Sequence, residues 1–372
     1  MKIIHISDSH LGVSGNFRKL TEQGYDQREE DFLHVFDIAI DRMIEMKPDV
    51  IIHSGDLFHL VRPSNRIIAR AARTLLKLSD AMIPTIVISG NHDTPKTRST
   101  GSVFQIMEII PNIDFVYKGS YERYKYGDAI VHAIPHCLSQ EDLEKQIEKA
   151  EPDTGARYNV LVVHGVVASI PEFSMNEFAE QFIPDSVFPK YDYVALGHYH
   201  GFTKIADNCY YAGSTERASF NEADQRKGFL EVDLSSNRVG FHELPARRMF
   251  KLPPIDARDF DSDKLRETIR DNLQTAELKD SIARLEIVNL PSHLKSEISE
   301  REFEDMTKSA FKFDIKKEKS EDELAIAERI QTIGKLESEL ERFLNNMVVE
   351  GADKQELLKL GIDYLSKARK ED

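Results

Sequence analysis

Asp8, His10, Asp56, Asn91, His164, His198 and His200 are the side chains best suited to hold a cation, and they fall in five short clusters: D-x-H, G-D, G-N-H-D, H-G and G-H-x-H. Carboxylate, amide and imidazole donors without a thiolate favour divalent manganese, iron, zinc or magnesium over copper(I) or an iron–sulfur cluster. Such a set fits phosphodiester hydrolysis. An anionic ester repels its nucleophile and its alkoxide leaves poorly; of two neighbouring cations, one generates hydroxide and the other takes up charge on the phosphate. A carboxylate must bridge the pair, and Asp56 suits the role because it follows an apolar run and stands beside a glycine that leaves the backbone room. Asp8, His10 and His200 are assigned to the first ion, and Asn91, His164 and His198 to the second. His198 and His200 flank Tyr199, a spacing that projects both rings to one side of an extended segment. His92, between Asn91 and Asp93, could donate a proton to the leaving oxygen or stabilise the charged transition state, and His59 could orient His92 or contact the phosphate. The other histidines, His5, His34, His53, His132, His136, His242 and His293, are read as core or surface residues, and Cys137 and Cys209, outside any C-x-x-C, as core thiols.

Each cluster follows an apolar, β-branched run: Lys2–Ile6, Asp49–His53, Thr85–Ser89, Asn159–Val163 and Tyr193–Leu196. One fold can therefore gather them at the ends of neighbouring strands. Helical patterns at Glu29–Met46 and Ser64–Ser79 alternate with these runs, and closely spaced runs at Phe202–Ala206, Cys209–Ala212, Gly228–Asp233 and Val239–Leu244 read as hairpins. The pattern predicts an α/β domain built as a mixed two-sheet sandwich flanked by helices. Pro253 and Pro254 fit neither a helix interior nor a central strand and mark a boundary. A second, α+β unit follows, with helices over Asp261–Leu273 and Leu294–Met306 and strands over Ala283–Val288 and Phe311–Ile315. Beyond Lys316 charged helix formers dominate: Ser320 with Glu323 forms a capping box, and Asp353 with Glu356 opens another helix after Gly351. Two amphipathic stripes, one from Ile333 to Met347 and a shorter one from Leu357 to Leu365, either fold back on the body or dock on another protein. The expected division is 1–248, 249–318 and 319–372.

The 372 residues suffice for two or three domains, and 41% hydrophobic content fits a soluble globular chain. Forty-nine basic against sixty-four acidic side chains leave a net charge of −15, which argues against a surface that grips nucleic acid everywhere. DNA could still be held through bound cations and through local basic stretches at Arg62/Arg66/Arg70/Arg73, Lys96/Arg98, Arg247/Arg248/Lys251 and Lys312/Lys316/Lys317/Lys319. Met1 runs straight into a strand pattern with no signal-peptide region, and no run is apolar enough to span a membrane, so a cytoplasmic protein without membrane contact is expected.

Ser7-Asp8-Ser9-His10-Leu11-Gly12, Ser54-Gly55-Asp56-Leu57-Phe58-His59, Gly90-Asn91-His92-Asp93 and Leu196-Gly197-His198-Tyr199-His200 resemble the calcineurin-like metallophosphoesterase superfamily through the first 245 or so residues. With Gln27-Arg28-Glu29-Glu30-Asp31-Phe32 they narrow the resemblance to the double-strand-break repair nucleases called SbcD in bacteria and meiotic-recombination-eleven nuclease in archaea and eukaryotes. The resemblance implies a four-layer α/β/β/α sandwich with a small α+β capping domain, matching Ile255 to about Phe313 in place and size, and C-terminal helices. It also implies two manganese ions per chain, 3′ to 5′ exonuclease action on double-stranded DNA and endonuclease action on single strands, close to the nucleoid. His92 then becomes the catalytic histidine and His59 its partner. Members of the family pair as homodimers, for which Ile67, Ala71, Leu75 and Leu78, or Val103, Phe104 and Met107, could supply the apolar face, although ordinary core packing is the preferred reading of any one of them. Their C-terminal helices bind an SMC-like coiled-coil ABC ATPase of the SbcC type, here through about 320–370. Another calcineurin-like phosphodiesterase or phosphatase is the alternative. Protein phosphatases of this kind, however, carry an arginine soon after the bridging aspartate and a glutamate after G-N-H, where this chain has Leu57-Phe58-His59 and Asp93. A scaffold without catalysis would show degenerate ligands, and none is degenerate here.

Overall fold

The β-branched run Lys2–Ile6 forms β1, and in a computed structural model, which describes residues 1–14, 19–170, 173–174, 180–319, 340 and 354–371, it organises a six-stranded sheet. β2 (Val50–His53), β3 (Thr85–Ile88) and β4 (Ile113–Val116) continue it in parallel on one side. The antiparallel hairpin of β13 (Gly228–Asp233) and β14 (Arg238–Glu243) completes it on the other. A second six-stranded sheet runs in the order β11 (Thr203–Ala206), β12 (Cys209–Tyr211), β10 (Tyr193–Gly197), β7 (Tyr158–His164), β6 (Ala129–Ile134), β5 (Glu122–Tyr126). A short pair, β8 (Val166–Val167) with β9 (Phe182–Ile183), lies apart from both.

Alternation along each strand builds the layers, because successive side chains point to opposite faces. Val50 and Ile52 pack with Val160, Val162 and Ala195 between the two sheets. Ile51 and Val87 face the other way, onto Phe36, Met43 and Leu75 of α1 (Gln27–Met46) and α2 (Asn65–Asp80). Leu161, Val163 and Leu196 pack with Leu143 of α4 (Gln140–Lys149), together with Cys137 and Cys209, two buried free thiols. The result is the expected helix, sheet, sheet, helix order. The helices begin where side chains can satisfy their first amides: Asp26 accepts from Arg28 and Glu29, Ser64 from Ile67 and Ser139 from Asp142. Each such cap contributes about 1 kcal/mol.

Ile67, Ala71, Leu75 and Leu78 of α2, and Val103, Phe104 and Met107 at the short α3 (Phe104–Met107), all lie in the helix-side core. The apolar faces expected to serve a homodimer are therefore consumed inside the fold, and a pairing surface has to use other side chains. Several basic stretches are likewise neutralised. Arg66 pairs with Glu29 and Glu30, and Arg70 with Glu30 and Asp37. Arg247 pairs with Asp31, while Lys251 and Lys316 pair with Glu286.

The chain divides into two compact units, the first being Met1–Phe250 with Leu278–Ala283 and Ala310–Lys312, the second Lys251–Glu277, Arg284–Ser309 and Phe313–Asp372. A small sheet orders β15 (Met249–Lys251), β17 (Ile282–Leu290) and β16 (Ile255–Asp256), with β18 (Lys312–Lys319) also paired to β17. α5 (Ser262–Thr275) starts at Asp261, whose side chain accepts from the Lys264 amide. The single helix predicted over Leu294–Met306 is instead three short pieces, Ser292–Leu294, Glu300–Phe303 and α6 (Glu304–Thr307). Serine explains the break: the Ser299 hydroxyl accepts from the Arg301 amide and caps a new turn where one helix would have run through. At the C-terminus α7 spans Lys354–Glu371. The Ser320 capping box and most of the Ile333–Met347 stripe lie outside the described residues. No helix among those described is long and apolar enough to cross a membrane.

Candidate metal centre

The loops that follow β1, β2 and β3 in one sheet and β10 in the other, with the last residue of β7, carry every expected ligand. Backbone hydrogen bonds extend the strand pairing into these loops: the Asp8 amide donates to the Gly55 carbonyl at 3.0 Å, His10 to Asp56 at 3.0 Å, and Gly165 to Gly197 at 3.1 Å. To turn the side chains inward the backbone adopts conformations that L-residues rarely hold. Asp8, His10, Asp56 and His198 have φ of 49°, 43°, 54° and 106°. Such conformations cost about 1–3 kcal/mol each and cluster at functional sites. Gly55, with φ of 109°, and Gly90 are demanded by close approach, since a Cβ on the first would collide with the His164 ring and on the second with the Asp56 carboxylate.

Two groups of donors result. Asp8, His10 and His200 converge so that one ligand atom of each lies within 4.8 Å of the others, and Asp8, Asp56 and His164 do the same. The His10 and His200 Nε2 atoms face each other at 2.9 Å. Asn91 Oδ1 lies 2.9 Å from His164 Nε2 and 3.2 Å from His198 Nδ1. Asp8, assigned above to the first ion alone, thus also reaches the group around Asp56. Between the two groups sits Asp56, 1% exposed. Its Oδ1 accepts from the His92 amide at 2.9 Å. Its Oδ2 is buried with no hydrogen-bond partner and has His164 Nε2 at 3.4 Å and His10 Nε2 at 3.8 Å. A bare carboxylate oxygen between two imidazole groups fits a bridging ligand, so the residues present suit a pair of divalent cations.

Charge within the cluster follows from burial and proximity. Burial opposes ionisation of Asp56, but the imidazoles of His164, His10 and His92 outweigh it and hold the carboxyl well below its ordinary value. His164 is the counterpart: burial disfavours its cation, yet Asp56 and Asp8 raise its pKa to about 9. His10 goes the other way, lowered by burial and by His200. A proton on His164 therefore occupies the position a cation would take, and metal binding has to displace it.

Outer partners fix which imidazole nitrogen faces inward. His164 Nδ1 sits 3.0 Å from the Ser54 carbonyl, leaving Nε2 toward Asp56 and Asn91. Glu180 lies 3.1 Å from His198 Nε2, leaving Nδ1 inward. Glu222 lies 3.2 Å from His200 Nδ1, and the buried Lys227 ammonium donates to that same carboxylate at 2.6 Å, to Ser214 Oγ at 2.7 Å and to the His200 carbonyl at 2.9 Å. A carboxylate behind a ligating imidazole sets its tautomer and strengthens it as a donor. Glu180, Glu222 and Lys227 were not found in the sequence, because they stand in loops where no spacing marks them.

His92 and His59 come together as expected. Their rings stack with centroids 5.0 Å apart, His92 Nδ1 lies 2.9 Å from the His59 carbonyl, and His10 packs edge-on against His92 at 4.8 Å. One ring nitrogen each of His10, His59 and His92 also lies within 4.8 Å of the others, an association not expected from the sequence. Asp93, the last residue of G-N-H-D, has a structural role: it accepts from the amides of Gly90 at 2.7 Å and Leu57 at 2.9 Å, locking the loops after β3 and β2 together. Among the histidines read as structural, His5 joins the sheets by meeting Tyr193 Oη and Ser54 Oγ, each at 2.9 Å, and His53 meets Ser9 Oγ at 2.9 Å.

Residues 1–222 match the family of calcineurin-like phosphoesterases. Over 296 residues the sequence is 29% identical to the DNA double-strand break repair protein Mre11 of Thermoplasma acidophilum, covering 75% of this chain and 73% of that protein. Over 313 residues it is 29% identical to the protein of the same name from Methanococcus maripaludis, covering 80% and 76%.

The Glu222 relay yields a direct test. Replacing Glu222→Gln together with Lys227→Met, so that no ammonium is stranded, is expected to weaken one manganese ion by about 10- to 100-fold. Calorimetric titration should show the other ion unchanged. Two unaltered affinities would show that Glu222 does not orient His200.

Proposed function

The chain belongs to the calcineurin-like phosphoesterase family, and from that premise we propose that this metal-dependent phosphodiesterase is a manganese nuclease of DNA double-strand-break repair, acting 3′ to 5′ on duplex ends and as an endonuclease on single strands. The observation that carries the reading is the buried, unpartnered Oδ2 of Asp56 between two imidazole groups. In this proposal Asp8, His10 and His200 would hold one ion and Asn91, His164 and His198 the other, with Asp56 as the carboxylate available to both. When bound, the pair supplies a nucleophile at neutral pH and offsets charge on the phosphate.

The remaining roles fall to the chain. The His92 amide steadies the shared carboxylate through Oδ1. Its ring, held through Nδ1 at the His59 carbonyl, gives a proton to the leaving oxygen in this proposal. His59, stacked on that ring, limits its rotation. Two things support DNA as the substrate: the relatives carry the name of a DNA double-strand break repair protein, and the donor set departs from the phosphatase pattern at Leu57-Phe58-His59 and Asp93. With several basic stretches internally paired and a net charge of −15, attraction for the phosphate backbone rests mainly on the bound cations. The segment from Ile255 to about Phe313 is proposed to restrict access to the centre. About 320–370 is proposed to dock an SMC-like coiled-coil ATPase, and two copies are proposed to pair.

His92→Ser is expected to keep both ions and to lose nuclease activity by about 10²–10⁴-fold. Metal content and cleavage measured on the same sample decide this, and full activity would remove His92 from the reaction. Ending the chain after Lys319 is expected to spare manganese-dependent cleavage and abolish co-purification with the ATPase. Retained co-purification would place the docking surface elsewhere.

A further inference from the structure

Beside the metal centre lies a cleft of about 450 Å³, a volume within the range of small-molecule sites. Thr94, Ser102, Gln105, Tyr117, His136 and Leu138 line it together with two charged side chains, Lys118 and Asp142. The cleft shares a wall with the centre. The Ser89–Thr94 segment carries Asn91 and His92 toward the ligands, while Thr94 Oγ1 folds back to the Gly90 carbonyl at 2.6 Å and borders the cleft. From the opposite side the His136 amide donates to the Ser89 carbonyl at 2.9 Å, which ties that histidine to the same segment.

The lining points to the chemistry of the occupant. His136 is only 5% exposed and turns its ring to the cleft. Its imidazole adds ring nitrogens that can meet the polar edge of an occupant. Ser102, Thr94 and Gln105 add further uncharged donors and acceptors. Leu138, 58% exposed, and the body of Tyr117 form an apolar surface. Of the two charged lining residues, Lys118 is already matched to Glu108 at 3.4 Å, and Asp142, which accepts from Ser139 Oγ at 2.9 Å, would repel an anion. A second phosphate would find no unmatched cation among the side chains named. A flat, uncharged group edged with donors and acceptors fits the apolar wall and the polar edge together.

We propose that this cleft receives the unpaired nucleobase next to the phosphate being cleaved. The proposal rests on the nuclease reading above and deepens it. A base can enter only when it is not paired, so the cleft favours single strands and frayed duplex ends. A wall of side-chain hydroxyls, an amide, an imidazole and the Asp142 carboxylate accepts different bases without reading sequence, as packing against an apolar surface does in other single-strand sites.

The test compares the manganese-loaded full chain on two single-stranded oligonucleotides, identical except that one lacks the base beside a chosen cleavage position. Bis(p-nitrophenyl) phosphate serves as a reference ester with no base. The expected result is a fall in kcat/KM of about tenfold at the abasic position. Gln105→Ala and Leu138→Ala, both at exposed positions, are expected to bring the normal strand down to the abasic rate while hydrolysing the reference ester at the wild-type rate. Equal cleavage of the two oligonucleotides by wild type would overturn the cleft while leaving the nuclease reading intact, and so would a parallel loss of reference-ester hydrolysis in the variants. Hydrolysis of the reference ester with no cleavage of either oligonucleotide would overturn the nuclease reading and the cleft with it.

Discussion

One buried carboxylate oxygen organises this protein. Asp56 Oδ2 is shut away from water with no well-formed hydrogen bond, His164 Nε2 standing 3.4 Å away, and an anion left in that state inside a protein carries a penalty of several kcal/mol. The surrounding imidazoles relieve part of it, which is why the Asp56 carboxyl stays ionised and His164 holds its proton up to about pH 9. That arrangement is the protonated counterpart of a metal site: a proton stands where a cation of greater charge would satisfy Asp56, Asp8 and the inward imidazole nitrogens together. Strained backbone at Asp8, His10, Asp56 and His198 is tolerated because bridging loops and the Asp93 carboxylate over-determine each turn.

The two sheets exist, in functional terms, to bring two sets of strand ends to one point. Neither supplies a full ligand set. Asp8, His10, Asp56 and Asn91 come from the first, and His164, His198 and His200 from the second. Their relative position is held by the apolar layer between the sheets and by His5, a polar tie that spans from β1 to Tyr193 of β10. Behind the second set, Lys227 and Glu222 hold His200 by its far nitrogen and its carbonyl, so the imidazole is fixed at both ends of the residue.

What could be read from the sequence was what is local. Each ligand cluster sits within a few residues of the strand that places it, so β-branched runs such as Lys2–Ile6 and Tyr193–Gly197 announced both the strand and the ligands at its end. The glycine beside Asp56, read as leaving the backbone room, is Gly55, where no other residue fits against the His164 ring. Contacts made across the fold were not legible. Glu180 and Glu222 meet imidazoles 18 and 22 residues away along the chain, and no periodicity records that. Amphipathic patterning also could not distinguish a face buried in the chain's own core from one reserved for a second copy, so α2 and α3 were open to both readings until Ile67, Leu75, Phe104 and Met107 proved to be interior. The continuous helix over Leu294–Met306 failed for a local reason, the preference of serine for caps, which propensity averaged over a window conceals.

The central claim is that Asp56 joins two cations. Anomalous diffraction from crystals grown with manganese tests it without reference to activity or substrate. The account predicts two peaks per chain, one toward Asp8, His10 and His200, the other toward Asn91, His164 and His198, with Asp56 touching both. A single peak, or two that leave Asp56 uncoordinated, would contradict it.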